Sequence, residues 1–384
     1  MRQPYGWRLE RTNSDAEVDL RELLLRDLPF RVRAPGRICL FGEHSDYLGL
    51  DVIAAAISME MEITAAPRTD DEIHIVYLNL GEKDTFPIET ETPYRSRRDY
   101  LRSAFNVMAR EGFRPRHGWS LQVKGNIPIA AGLSSSSAMT VGAVMAIARM
   151  AEKRVSERNV ALAAYDAEVT EFGESGGTMD HYASVFGGVI HVDMENGTAI
   201  RLPARLASIV IGDSCEKKKD TVGDLRFIRT AVEREYEIMS QGISSFNRRT
   251  TSVDSVYKQR HQAPSQQRRM AEATLQNRDL THRALELLST RNPEPREIGR
   301  MLTEHHEILR DGLNRSTPKI ERMIEASLSA GALGCKINGS GGGGTMMAYC
   351  NGQENEVASA IQHADGKAYI VEVSRGASIT TINR

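Results

Sequence analysis

Arg37, Glu43, His44 and Asp46 crowd into the eleven-residue run Arg37-Ile38-Cys39-Leu40-Phe41-Gly42-Glu43-His44-Ser45-Asp46-Tyr47, introduced by Ala34-Pro35-Gly36. A guanidinium, two carboxylates and an imidazole are too much polar chemistry for a core strand. The flanking Pro and Gly set too much structure for a linker. A second segment, Pro128-Ile129-Ala130-Ala131-Gly132-Leu133-Ser134-Ser135-Ser136-Ser137-Ala138, joins a glycine turn to a serine-rich helix start. Such a start offers unpaired backbone N–H groups and the positive end of a helix dipole, both suited to a polyphosphate. The hydroxyls add donors, and one can serve a nucleotide-bound Mg²⁺ as an oxygen ligand. A serine N-cap is the plain alternative, but one serine would satisfy it. No lysine follows the glycine, so this is not the P-loop motif.

The run Gly339-Ser340-Gly341-Gly342-Gly343-Gly344 lies between two apolar extended segments. Glycine weakens a strand by about 0.5–1 kcal/mol per residue, which suggests a backbone that closely approaches a ligand or turns with positive φ. A flexible hairpin is the plain alternative. Asp180 in Gly176-Gly177-Thr178-Met179-Asp180-His181-Tyr182 could simply cap a helix, and Glu168 upstream could be an ordinary solvated helix residue. Taken together, the three polar and glycine-rich segments point to a small-molecule kinase.

The elements that must position these residues alternate in the first half. Strands are expected from residue 30 into the first motif and over 51–67, 73–77, 120–123 and 185–192. Helices are expected over 100–110, 137–151 and 160–172. After residue 204 the pattern changes to a strand over 206–211, a helix over 225–239 and a polar connection over 241–270. Helices over 271–289, 297–313 and 318–330 follow. Strands over 334–337 and 345–349, a helix over 356–364 and a strand over 368–372 complete the chain. A domain boundary is expected near residue 200, giving units 1–200 and 201–384.

The 384 residues include 40% apolar side chains, enough for real cores. A formal charge of −2 gives no pull towards nucleic acid or an acidic membrane surface. The basic patches at Lys217 to Lys219 and Arg248-Arg249 lack interleaved aromatics. Four scattered cysteines without a C-x-x-C pair and the absence of a long apolar run suggest a reduced, cytoplasmic protein without membrane partners. His305-His306 has no helical ligand partner and reads as structural, as do His181, Trp7 and Trp119.

The order Gly-Arg-x-x-x-x-Gly-Glu-His-x-Asp-Tyr, Pro-x-x-x-Gly-Leu-Ser-Ser-Ser, Gly-x-Met-Asp and a glycine run closely resembles the GHMP kinase superfamily, and its galactokinase branch most. The likeness covers about residues 32–349, including the His-x-x-Leu-Arg-Asp…Ser-Thr-Pro pattern of residues 304–323. It implies an α+β chain of two domains, the N-terminal one like ribosomal protein S5 domain 2 and the C-terminal one ferredoxin-like. ATP would lie in the cleft between them.

By the same resemblance Asp180 and Arg37 are catalytic, and Glu43, His44, Asp46 and Phe227 contact a sugar. Gly132, Leu133, Ser134, Ser135, Ser136, Ser137, Gly341 and Gly342 hold ATP, with Ser136 and Glu168 on Mg²⁺. Expected partners are ATP and a monosaccharide, in a monomer or homodimer. The expected acceptor is the anomeric 1-hydroxyl of galactose or a related sugar.

Three residues depart from the galactokinase pattern: Cys39 and Leu48 replace asparagines, and Phe227 stands where a sugar-binding tyrosine is usual. Leu40 to His44, residues 53–57 and the glycine run look like mevalonate kinases, whereas Arg37, Asp46-Tyr47 and Met179-Asp180 favour the sugar branch. Mevalonate kinase and a catalytically silent sugar and ATP sensor therefore remain the competing readings.

Overall fold

The computed structural model describes residues 28–382 apart from 90, 130, 218–219 and 260–263. The readings of residues 1–7, including Trp7, and of Lys218 and Lys219 lie outside the described residues. Strand β1 (Phe30–Phe41) pairs antiparallel with the long β2 (Val52–Pro67). Phe30, Val32 and Ala34 alternate inward and are fully buried, as the two-residue period of a strand requires. The strand runs on through Arg37 to Phe41, correcting the expectation that this run is too polar for a core strand. Ile38, Cys39, Leu40 and Phe41 supply the buried apolar surface, and Arg37 finds the Asp180 carboxylate across the fold.

Two hairpin strands, β3 (Glu72–Tyr77) and β4 (Glu82–Pro87), and then β5 (Trp119–Gly125) extend the sheet, with β3 and β5 parallel. β6 (Val189–Asp193) pairs with the start of β2 and carries β7 (Thr198–Leu202). Helices α1 (Tyr100–Arg110), α2 (Ser135–Met150), α3 (Glu157–Tyr165) and α4 (Met179–Phe186) pack together, with α2 and α4 lying against β1 and β2. α2 is apolar on most sides and correspondingly buried on most of them. The helix expected over 160–172 instead ends at Tyr165 and widens into a π-turn, Asp166–Thr170, that carries Glu168. The strand expected from 185 starts at Val189, because residues through Phe186 complete α4.

The second unit holds an antiparallel sheet of β8 (Ile209–Asp213), β9 (Gly334–Asn338), β10 (Thr345–Tyr349) and β11 (Lys367–Val371), in the order β11-β8-β10-β9. Among the described residues six α-helices accompany it: α5 (Thr221–Gly242), α6 (Val253–Tyr257), α7 (Gln266–Leu288), α8 (Pro295–Glu307, continued by a π-turn over Ile308–Gly312), α9 (Pro318–Ser329) and α10 (Glu354–His363). The polar stretch expected to be a connection over 241–270 contains α6 and the first turn of α7. The last strand, β12 (Ser378–Thr381), returns to pair with β1. A division into 1–200 and 201–384 therefore fails for this strand, which belongs to the first sheet. The chain is a two-domain α+β protein with a cleft between its sheets. Among the described residues no helix is long and apolar enough to cross a membrane.

Candidate active site

A cavity of about 310 Å³ opens between the end of β1, the start of α2, α4 and the glycine-rich turn after β9. Arg37 and Asp180 meet across its floor. Arg37 donates through Nε to Asp180 Oδ1 (2.6 Å) and through Nη2 to Oδ2 (2.7 Å), a bidentate pair. Its Nη1 donates to the Gly132 carbonyl (2.7 Å). Burial opposes the arginine's charge, but Asp180 and then Glu43 outweigh it and raise its pKa. Asp180 remains 24% exposed at the side chain, against 7% for Arg37, so the carboxylate is oriented from below and open to the cavity above.

Ser134 adds a third hold on Asp180, donating from Oγ to Oδ2. It stands at the N-cap position of α2 with φ 59° and ψ 46° and makes no side-chain cap bond. The capping alternative for this serine is thereby removed. A left-handed non-glycine residue costs on the order of 1–3 kcal/mol and persists only where its surroundings fix it. Here the fixed conformation turns the hydroxyl onto the carboxylate.

The first motif turns sharply at Gly42 and forms a single 3₁₀ turn over Asp46–Leu48. Asp46 is buried and accepts from its neighbour's N–H at Tyr47 (2.9 Å). Burial first, and then the nearby Asp180 carboxylate, push its pKa up to about 7. Gly177 makes this approach feasible, since a Cβ there would lie 1.9 Å from Asp46 Oδ2. His44 shares a hydrogen bond with the Tyr47 hydroxyl (2.9 Å).

Glu43 also borders the cavity, but one of its oxygens is already engaged. Oε2 accepts from Lys336 Nζ (3.0 Å) and from the Gly339 N–H (2.9 Å). Burial would raise its pKa, yet Lys336 and then Arg37 bring it down to about 2. Lys336 is fully buried and also donates to the Cys39 carbonyl (2.9 Å). Asn338 accepts from the Cys39 N–H (3.0 Å) and donates to the Gly132 carbonyl (2.8 Å). Sequence reasoning missed both residues. A lysine between Cys335 and Ile337 in the strand Gly334–Asn338 was the available signal, since lysine is almost never fully buried unless paired.

Ser134, Ser135, Ser136 and Ser137 all line the cavity with Gly132, at the N-terminus of the sixteen-residue α2. Leu133, expected there too, buries its side chain, and its carbonyl accepts from the Arg37 N–H (3.2 Å). Glu168 reaches the same wall from the π-turn. Burial opposes its charge, but hydrogen bonds from His181, Ser136 and Ser137 lower its pKa. His181 Nε2 lies 2.7 Å from Glu168 Oε2. π-turns recur at functional sites, and the widened turn sets where this carboxylate faces.

Three expected contacts fall elsewhere. Phe227 is 50% exposed on α5, whereas Val222 and Leu225 of that helix face the cavity. Leu225, two residues before the position the resemblance points to, is the nearer of these. Gly341 and Gly342 do not line the cavity. They pack on Arg315, whose carbonyl accepts from the Gly342 N–H (2.8 Å) and would lie 2.6 Å from a Cβ at Gly341. Gly339 and Ser340 line the cavity in their place.

Comparison with known proteins defines the class. The GHMP kinases N terminal domain family matches residues 99–188 and the GHMP kinases C terminal family residues 284–367. The chain belongs to the GHMP kinase superfamily, a membership that implies an ATP-dependent kinase. Within that class, residues 24–67 match the galactokinase galactose-binding signature.

The mevalonate kinase of Thermococcus onnurineus is 29% identical over 352 residues, covering 89% of this chain and 95% of that protein. The galactokinase of Roseiflexus sp. is 28% identical over 359 residues, covering 91% and 89% respectively. The crystal structure of Lactococcus lactis galactokinase complexed with galactose superposes with a TM-score of 0.79 at 19% identity, over 91% of this chain and 95% of that one. That likeness shares the two-domain fold described above.

Proposed function

We propose that the protein transfers the γ-phosphate of ATP to a hydroxyl of a neutral monosaccharide, with galactose and its anomeric hydroxyl the leading candidate. The observation that carries this reading is the charge pattern of the cavity. Asp46 and Asp180 both line the cavity, and its lining arginines Arg37 and Arg98 are each paired with a carboxylate, Asp180 and Glu174. A polyhydroxylated neutral acceptor donates hydrogen bonds to such carboxylates, whereas a carboxylate substrate would meet like charge.

Phosphoryl transfer depends mostly on positioning and charge neutralisation. In this reading Asp180, aimed by Arg37 and Ser134, orients the attacking hydroxyl and takes up its proton, an effect typically worth about 10²–10⁴-fold. Arg37 stabilises charge developing on the transferred group. The N–H groups and hydroxyls of residues 134–137 receive the phosphates at the helix N-terminus. Ser136 and Glu168 are brought within hydrogen-bonding reach of each other and offer the hard oxygen donors that suit Mg²⁺. Bound there, the ion would offset the charge of the nucleotide phosphates.

A mevalonate kinase reading draws its support from relatives such as the Thermococcus onnurineus enzyme, which at 29% identity over 95% of its length is slightly more similar than the galactokinase at 28% over 89%. An ATP-dependent phosphorylation assay over galactose, N-acetylgalactosamine, galacturonate, glucose, arabinose and mevalonate separates the two. Turnover of a neutral sugar supports the proposal, and turnover of mevalonate alone overturns it. Binding of sugar and ATP without any turnover would make the protein a sensor.

A further inference from the structure

Arg248 and Arg249, which read from the sequence as a plain basic patch, reach the first motif from 200 residues further along the chain. Arg248 Nη1 donates to the Leu48 carbonyl (3.1 Å) and Arg249 Nη1 to the Gly49 carbonyl (2.7 Å). Arg249 Nη2 also pairs with Asp51 (2.7 Å). Leu48 ends the short turn that opens with Asp46, and Gly49 is its left-handed cap. The last carbonyls of a helical turn lack intrahelical partners and carry its negative end, so two guanidiniums are the complementary groups.

Both arginines are themselves held. Arg278 of α7 is 3% exposed and donates to the carbonyls of Arg248 (2.7 Å) and Thr251 (2.8 Å). The guanidinium of Arg248 lies over the Tyr236 ring, 5.4 Å from its centroid, and Tyr236 also packs against Phe246. On the far side, Asp51 accepts from the Met194 N–H (3.1 Å) and lies 3.3 Å from His191 Nε2. Neighbouring Asn277 donates to the Glu43 carbonyl (2.8 Å). Second-unit side chains therefore hold the motif loop at both ends.

We propose that Arg248 and Arg249 are positioning residues for the acceptor pocket, clamping the Asp46 turn of the N-terminal sheet onto the second unit. The clamp fixes Asp46 where it meets Gly177 and faces Asp180. This inference rests on the reading of the motif as the acceptor site. Its removal should loosen acceptor binding and leave the phosphate site at the start of α2 untouched.

The test uses the full chain carrying Arg249→Gln or, approaching the same pair from its other side, Asp51→Asn. Hydrogen–deuterium exchange is read without ligands over peptides spanning residues 42–52 and 132–145. Both variants should exchange faster over the first peptide and as wild type over the second. With Mg-ATP and D-galactose as the probe acceptor, the acceptor KM should rise about tenfold, since small misplacements at an active site carry penalties of this order or larger. The KM for ATP should stay within about twofold, and Arg249→Lys should restore part of the loss. Unchanged exchange over 42–52, or equal rises in both KM values, overturns the proposal. If the wild type turns over no neutral sugar, the sugar reading fails and the exchange result alone decides on the clamp.

Discussion

Asp46→Asn should make the ligand-free protein more stable, and increasingly so as pH rises. The unperturbed carboxyl has a pKa of 3.8, and burial with the nearby Asp180 raises it to about 7 in the fold. A carboxyl raised in this way is held protonated by the fold at pH values where the unfolded chain has released the proton. Wild-type stability therefore falls as pH climbs from about 4 to about 7, with the full cost present above 7. The 3.8-to-7 gap, at about 1.36 kcal/mol per pH unit, caps that cost at about 4 kcal/mol. By the same linkage about 1.7 kcal/mol is already present at pH 5, so the advantage of the uncharged variant should grow by about 2–3 kcal/mol between pH 5 and pH 8. Constant differences between Asp and Asn cancel in this comparison. Urea unfolding of both proteins at pH 5, 6.5 and 8 measures it. An advantage that stays flat with pH, or shrinks, would refute the placement of an ionisable Asp46 against Asp180. The same variant should lose acceptor affinity, which makes this residue stability given up for function.

Three further substitutions probe other parts of the site. Asp180→Asn should lower kcat by about 10²–10⁴-fold with ATP affinity retained in a binding titration, and near-normal turnover would remove Asp180 from the reaction. Lys336→Met leaves the buried Glu43 carboxylate without its cation and should destabilise the fold by about 3–5 kcal/mol, read by denaturant unfolding. A loss below about 1 kcal/mol would mean that the pair is dispensable. Phe227→Ala should change neither stability by more than about 0.5 kcal/mol nor the acceptor KM, because the ring is exposed. A large KM effect would bring α5 back into the pocket through this residue.

The sequence was most legible where one local rule set the outcome. Helix Tyr100–Arg110 follows from the spacing of Leu101, Phe105 and Met108, all buried. The serine run opens a helix, and Arg37, Asp46, Glu168 and Asp180 gather at one cavity. Strand β4 escaped because charged residues crowd an edge strand, and β7 because Ile200 faces outward and spoils the alternation. The π-turn at Glu168 has no sequence signal, since one extra residue per turn leaves composition unchanged. Long-range pairing was equally invisible: Lys336 meets Glu43 293 residues away, and no local pattern encodes that distance. Phe227 was placed by the family resemblance alone, with no local pattern behind it. A 22-residue helix with charges scattered around it does not fix which face turns inward.

The most direct test of the central claim is ³¹P NMR of the protein incubated with Mg-ATP and either galactose or mevalonate in parallel. With galactose, or failing that with the other neutral sugars of the panel run in the same way, the γ-phosphate resonance should disappear and a new sugar-phosphate signal arise that Asp180→Asn abolishes. Phosphorylation of mevalonate by a preparation that leaves every sugar untouched would contradict it.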